Sequence, residues 1–362
     1  LDWEGAGRKM MQMPKTMPKT TNIAVIGSGA WGTATALVLA SKNTLAVSQW
    51  VPRAESHKAL IRTRENSTYL PGVPLPESIH LHHEDLRPVA EADWWVLATP
   101  AVFLERTLAT LKARGIDRFP PAISLIKGMD FASGQRPSQV IARLLGHDRI
   151  VVVSGPSHAE EVARALPASL VAASAQEALA VEVQQIMGTS RLRIYTSTDT
   201  VGVEWAGIHK NVMGIAAGIC QGLGLGDNAV SALMTRGLAE MARWGVSQGG
   251  EQETYMGLAG VGDLATTCIS KHGRNRQVGL RLARGETLAQ IQAEMKQVAE
   301  GINTVQVLKK AAAAQGIGLP ITEAVHAVLF EGIPPAVAVE RLLQRTPKPE
   351  MEENRSGSRK VS

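Results

Sequence analysis

Two cysteines, Cys220 and Cys268, are all that 362 residues contain. That is too few for a disulfide framework, so both are expected as buried thiols in a reducing compartment such as the cytoplasm. Aromatic residues make up only 4% of the chain, which leaves no interleaved stacking platform for single-stranded nucleic acid. Long apolar runs are missing too. Stretches such as "ATALVLA" fall well short of the roughly 18 to 20 residues that cross a bilayer. The opening residues 1–20, "LDWEGAGRKMMQMPKTMPKT", lack the apolar core of a signal peptide and read as a disordered leader or a remnant not native to the chain. The net charge of +5 is spread along the sequence without basic tracts, which argues against a nucleic-acid partner and suits an anionic small molecule. Metal-ligand spacing is absent. The one histidine grouping, His80, His82 and His83 in "HLHH", reads as an exposed strand, and no G-x-S-x-G nucleophile turn occurs.

What is present begins with alternation. From residue 21 to about residue 200 short β-rich runs ("NIAVI", "LAVSQW", "DWWVLAT", "AISLI", "IVVVS", "SLVAAS", "LRIYT") alternate with helical stretches, the pattern of a sheet covered by helices. From 201 to about 345 the strand signal vanishes and Ala, Gly, Leu, Met and Glu recur at helical spacing. The expected fold is therefore α/β: an N-terminal Rossmann-like dinucleotide-binding domain (21–200), a helical substrate domain (201–345) and a flexible polar tail (346–362).

The first strand runs into "GSGAWG" and then a helix, the strand, G-x-G-x-x-G, helix order of a dinucleotide fold. Gly27 permits the turn, Gly29 lets a pyrophosphate approach the backbone, Gly32 lets helix and strand pack closely, and the helix N-terminus faces the phosphates. After the second strand an NAD-selective site would carry an acidic residue. Here Arg53 stands, which pairs with a 2'-phosphate and favours NADP over NAD, while Glu55 and a merely solvated arginine keep the other reading open.

Two strand-end turns, "LIKGMD" with Lys127 and "SGPSHAEEVA" with Gly155, Ser157 and Ala159, are expected on the ligand-bearing edge of the sheet. Ser157 has the alternative of capping the helix that follows. In "GIHKNVMGIAAG", Lys210 lies among small and aliphatic residues, either snorkelling to water or placed to use its charge on a ligand. Asp263 and Thr267 stand one helical turn apart in "GVGDLATTC". A buried carboxylate needs a cation, for which Lys210 is the candidate. The alternative for Asp263 is a helix cap, and for Arg274, Asn275 and Arg276 of "GRNRQ" a solvated turn. His158 and His209 read as packing or hydrogen-bonded residues.

Taken in order, "GSGAWGTA", "IKGMD", "SGPSHAEEVA", "KNVMGIAAG", "GLGLGDN", "TRGLAEM", "GVGDLATTC", "RNRQ", "VAEGINT" and "LPITEAV" resemble the bacterial NAD(P)-dependent sn-glycerol-3-phosphate dehydrogenases, over residues 22 to about 343. The resemblance implies reversible reduction of dihydroxyacetone phosphate for glycerophospholipid synthesis, by a cytoplasmic enzyme expected as a homodimer, with NADPH or NADH as cofactor. By the same resemblance Lys210 is the proton donor, Lys127 a second catalytic lysine meeting substrate and nicotinamide, and Asp263 and Thr267 orient the reacting oxygen. Substrate contacts fall on Gly155, Ser157, Asn211, Gly273, Arg274 and Asn275. Cofactor contacts fall on Gly27, Gly29, Ala30, Trp31, Gly32, Arg53, Lys127, Ala159, Arg274, Val298 and Glu300. Departures from the pattern are His209, where an aliphatic residue is usual, Gly273, where serine is common, and the strand "WWVLATP". Outside this family the alternatives are another two-domain hydroxyacid dehydrogenase, of phosphosugar-acid or ketopantoate type, and a catalytically silent NADP sensor. Small residues around Lys210 are expected to leave room for the substrate.

Overall fold

β1 (Thr21–Ile26) puts Ile23 and Val25 into one apolar layer and Ala24 and Ile26 into another, so the strand is covered on both sides. Strands buried on both faces read as continuous aliphatic runs, which is why β1, β2 (Leu45–Trp50), β4 (Trp94–Leu97) and β6 (Ile150–Ser154) stand out in the sequence. With β3 (Ile79–His82), β5 (Ala122–Ser124), β7 (Ala168–Ala173) and β8 (Leu192–Ser197) they form one sheet in the order β3-β2-β1-β4-β5-β6-β7-β8. Every neighbouring pair is parallel except β6 and β7. The computed structural model describes residues 20–271, 273–295, 298–347 and 349–350. Apart from Thr20, the expected leader lies outside the described residues, as does the expected tail beyond Glu350.

The helices of this part are α1 (Ala30–Ala40), α2 (Ala54–Thr63), α3 (Arg87–Ala90), α4 (Ala101–Ala113), α5 (Pro137–Leu145), α6 (Ala159–Val162) and α7 (Glu177–Met187). Leu39 of α1 and Val183 and Ile186 of α7 join the layer of Ile23 and Val25. Val89 of α3, Leu104, Leu108 and Leu111 of α4 and Val140 and Ile141 of α5 join the layer of Ala24 and Ile26. Of the "HLHH" run, His80, Leu81 and His82 lie in β3, an edge strand that buries Ile79 and Leu81 and exposes only His80, while His83 follows the strand half-buried.

The remaining helices are α8 (Thr200–Gly222), α9 (Gly226–Ser247), α10 (Asp263–Ile269), α11 (Arg274–Ala283), α12 (Leu288–Glu294), α13 (Glu300–Ala314), α14 (Pro320–Phe330) and α15 (Pro335–Leu343). A 3-10 turn over Glu253–Met256 and a π-helical turn over Leu258–Gly262 lead into α10. The chain divides into two units. One holds the chain up to Ile208 together with Gly245–Thr266, the other His209–Trp244 and the chain from Thr267 onward. The helical region after Val201 is thus shared between them, because 245–266 returns to the sheet unit. Among the described residues no helix is long and apolar enough to cross a membrane.

Candidate active site

The change of strand order between β1 and β4 is where open α/β sheets bind ligands, beyond the carboxyl ends of the strands. There Gly27 has φ of 122°, and a Cβ on it would lie 2.8 Å from the Ala98 carbonyl oxygen. A Cβ on Gly32 would lie 2.7 Å from the Gly27 carbonyl, so α1 packs on β1 only with glycine at that position. Gly29 differs from both. A Cβ there meets nothing within 4 Å, and Gly29 caps α1 without any side-chain hydrogen bond to the helix amides. Open space beside uncapped N–H groups fits a dinucleotide pyrophosphate. Ala30 and Trp31 open α1, both partly exposed at the same turn.

Two residues that the sequence did not mark fix this turn. Gln49 Nε2 donates to the Gly27 carbonyl at 2.9 Å. Asn66 Nδ2 donates to the Ser28 carbonyl at 2.9 Å and to Thr33 Oγ1 at 2.8 Å. A glutamine in the aliphatic run of β2, next to its last residue, was the available signal, since a buried polar side chain must find a partner. Ala159 at the start of α6 is buried in a small cluster with Ala34, Leu70 and Val73. Arg53 caps α2, exposed, with Glu55 exposed in the first turn beside it.

β1, β4, β5 and β6 run parallel, so their carboxyl ends share one edge, and the turns after β5 and β6 lie along it. Lys127, in the turn after β5, donates from Nζ to the Gly155 carbonyl at 2.9 Å, to Ser157 Oγ at 3.3 Å and to Asp263 Oδ2 at 2.8 Å. The Asp263 side chain is 2% exposed and that of Lys127 18%. Within this unit the cation set against Asp263 is therefore Lys127, a pairing the sequence reading did not make. Ser157 is not the helix cap: His158 holds that position, and Ser157 Oγ donates to the Gly155 carbonyl at 2.9 Å. A buried ion pair does little for stability compared with apolar residues of the same size, so its presence points to positioning of charge.

In the other unit Lys210, 9% exposed, donates from Nζ to Thr267 Oγ1 at 2.8 Å. It does not snorkel into water. Asn275 Nδ2 donates to Asn211 Oδ1 at 2.8 Å, and Asn275 Oδ1 accepts from the Gly301 amide at 3.0 Å, so both side chains are fixed. Gly273 caps α11, and Arg274, exposed at its first position, donates from Nη1 to the Val298 carbonyl at 3.2 Å. Glu300 opens α13. His209 is a fully buried hydrogen-bonded residue, with Nε2 3.0 Å from Thr322 Oγ1 and 3.7 Å from Glu240 Oε1.

The small residues of α8 serve a different purpose from the one expected. A Cβ on Gly214 would lie 2.9 Å from Thr267 Cγ2 and 3.2 Å from Asn275 Cβ. One on Gly207 would lie 2.8 Å from Ser154 Oγ. The space beside these glycines is filled by protein, so they let neighbouring elements come close and leave no void for a substrate.

Two family models match the chain, the NAD-dependent glycerol-3-phosphate dehydrogenase N-terminus over residues 22–180 and its C-terminus over residues 199–340. The chain belongs to the NAD-dependent glycerol-3-phosphate dehydrogenase family. It is 42% identical over 332 residues to the glycerol-3-phosphate dehydrogenase [NAD(P)+] of Prosthecochloris aestuarii, covering 91% of this chain and 99% of the relative. The enzyme of that name from Thiobacillus denitrificans is 45% identical over 324 residues, 89% of this chain and 98% of the relative. The crystal structure of glycerol-3-phosphate dehydrogenase from Coxiella burnetii superimposes with a TM-score of 0.85 at 35% identity, covering 91% of this chain and all of that one. The expected α/β fold, a Rossmann-like sheet followed by helices, is the arrangement found in this chain.

Proposed function

We propose that this chain is an NAD(P)-dependent oxidoreductase that interconverts dihydroxyacetone phosphate and sn-glycerol 3-phosphate. The observation that carries the reading is the match over nine-tenths of the chain to glycerol-3-phosphate dehydrogenases [NAD(P)+]. Gly27, Gly29 and Gly32 at the start of α1 would hold the pyrophosphate of the dinucleotide, whose reduced form would supply a hydride for C2 of the ketose phosphate. The chain's own residues supply the rest. Lys210 gives a proton to the C2 oxygen as negative charge develops on it, with the Thr267 hydroxyl holding the amine in place. Lys127 sets a second cation towards that charge, and Asp263 fixes its direction. Arg274, whose planar fork suits phosphate oxygens, grips the substrate phosphate with Asn275, using donors beyond the one it gives to the Val298 carbonyl. Gly155, Ser157, Asn211 and Gly273 line the substrate. Ala30, Trp31, Ala159, Val298 and Glu300 line the cofactor.

NADPH is the favoured cofactor. Arg53 stands exposed as the N-cap of α2, three residues beyond β2, where a guanidinium can meet a 2'-phosphate. Production of sn-glycerol 3-phosphate in the cytoplasm for glycerophospholipid synthesis, by a homodimer without a nucleic-acid partner, completes the reading. It is supported by two buried free thiols and by a dispersed charge excess. The test follows absorbance of NADPH and NADH in parallel, with dihydroxyacetone phosphate and with ketopantoate as substrates. Oxidation is expected with dihydroxyacetone phosphate alone, faster at low NADPH than at equal NADH. Turnover of ketopantoate without turnover of the ketose phosphate overturns the substrate; binding of either nucleotide without turnover overturns the enzyme.

A further inference from the structure

Asp263 is delivered to Lys127 by an irregular strap. After α9 the chain makes the 3-10 turn Glu253–Met256, then the π-helical turn Leu258–Gly262, and enters α10 at Asp263 itself. π-helical turns are rare and favour functional positions, because they aim a side chain at the cost of regular bonding. This one depends on Gly260, where any Cβ would overlap the Tyr255 backbone. Tyr255 is fully buried, its ring set against Gly245, where a Cβ would overlap the phenol. At the end of the turn, a Cβ on Gly262 would touch Pro156 at 3.5 Å, next to the Gly155 and Ser157 oxygens that also hold Lys127.

The start of the strap is tied by one carboxylate. Asp199, 6% exposed, lies just before α8, and its Oδ1 accepts from the Gly202 amide at 2.7 Å. Its Oδ2 accepts from the Glu251 amide at 2.9 Å and from Thr254 Oγ1 at 2.6 Å. One side chain therefore fastens the first turn of α8 to the strap just ahead of the Tyr255 plug. A buried carboxylate with three donors is fixed in place, and the groups it binds are fixed with it.

We infer that Asp199 is a positioning residue for the reaction: by holding Glu251 and Thr254 it sets the π-helical turn, and so the direction in which Asp263 meets Lys127. The inference rests on the reading of Lys127 and Asp263 as catalytic residues. Asp199 acts through the strap and touches no substrate.

A double-mutant cycle tests it on the intact protein. Asp199→Asn keeps the size of the side chain and removes its charge, and Thr254→Val removes one hydroxyl donor. Each is expected to lower kcat about ten- to a hundredfold, the range for a small misplacement of catalytic groups, with the KM for the dinucleotide unchanged. In an Asp263→Asn background the same substitutions should cost less than about threefold, since the group they position is gone. Thr254→Ser, which restores the donor, should recover wild-type kcat. Equal losses in both backgrounds overturn the inference, because they mark a strap that only stabilises the fold. A harmless Asp263→Asn overturns instead the assignment of the catalytic pair. Should Asp199→Asn fail to fold, the Thr254→Val arm is read in the same way and decides alone.

Discussion

Gly29 and Gly218 each stand at a helix, and they do opposite things. At Gly29 a side chain would meet open space; at Gly218 it would overlap the Arg276 carbonyl of α11. The first glycine borders open space. The second lets two backbones touch. Gly279 on α11 returns the contact, since a Cβ there would overlap the Ile215 carbonyl of α8, and Gly214 and Gly222 extend the seam along α8. Glycine in a turn after a strand and glycine in a helix thus carry different information, and only the first belongs to a dinucleotide-fold pattern.

The seam places chemistry as well as backbone, because Lys210, Asn211, Thr267 and Asn275 sit along it. The largest expected effect is therefore on the residue it presents. Lys210→Ala should lower turnover by roughly three orders of magnitude, as loss of a proton donor does, with dinucleotide affinity unchanged because the glycine turn is intact. Near-normal turnover in steady-state assays would leave the seam as packing alone.

Next in size is the seam itself. Gly279→Ala forces a methyl into the α8 backbone, an overpacking expected to cost about 1–3 kcal/mol or more in urea unfolding. Gly29→Ala should change unfolding free energy by less than about 0.5 kcal/mol, the usual range for an open surface position. Its effect belongs to the ligand: the dinucleotide KM should rise about tenfold, equivalent to some 1.4 kcal/mol of lost contact. If Gly29→Ala destabilised the fold as Gly279→Ala does, the contrast between the two glycines would be gone. Smaller again is Arg53→Ala, expected to raise the KM for NADPH about tenfold through loss of a charge-assisted contact while leaving that for NADH unaltered.

The parts of this molecule legible in its sequence are those governed by local pattern. The aliphatic runs of β1, β2, β4 and β6 and the spacing of Gly27, Gly29 and Gly32 announce a parallel sheet and a phosphate turn, since burial on both faces and a tight turn each restrict residue type locally. The antiparallel set of β7 against β6 was not legible, because "SLVAAS" reads the same in either direction. Nor was the pairing of Asp263 with Lys127, two residues joined only by tertiary structure. Ser157 looked like a cap because it precedes a helix, but its hydroxyl goes back to Gly155. Glycines near Lys210 looked like room for a substrate because a sequence shows small residues without showing what fills the space beside them.

The smallest expected effect concerns a thiol beside the seam. Cys268 on α10 is buried, its Sγ 3.9 Å from the Met213 carbonyl of α8, and burial pushes the thiol up to about 12, with Lys210 only partly opposing the shift. Burial raises Cys220 as well. The thiolate is the reactive form, so iodoacetamide at about pH 8.5 should leave activity intact while modifying both cysteines after unfolding. The sign of the linked stability follows from the same shift. A group whose proton is held more tightly when folded contributes its full stability below its unfolded value of 9.0 and loses it as pH rises towards about 12. Urea midpoints should therefore fall above pH 9 in the wild type and fall less steeply in Cys268→Ala. Rapid labelling of Cys268 in the native protein at neutral pH would mean that α10 parts from α8 in solution, and that the seam holding Lys210 and Thr267 together is not closed.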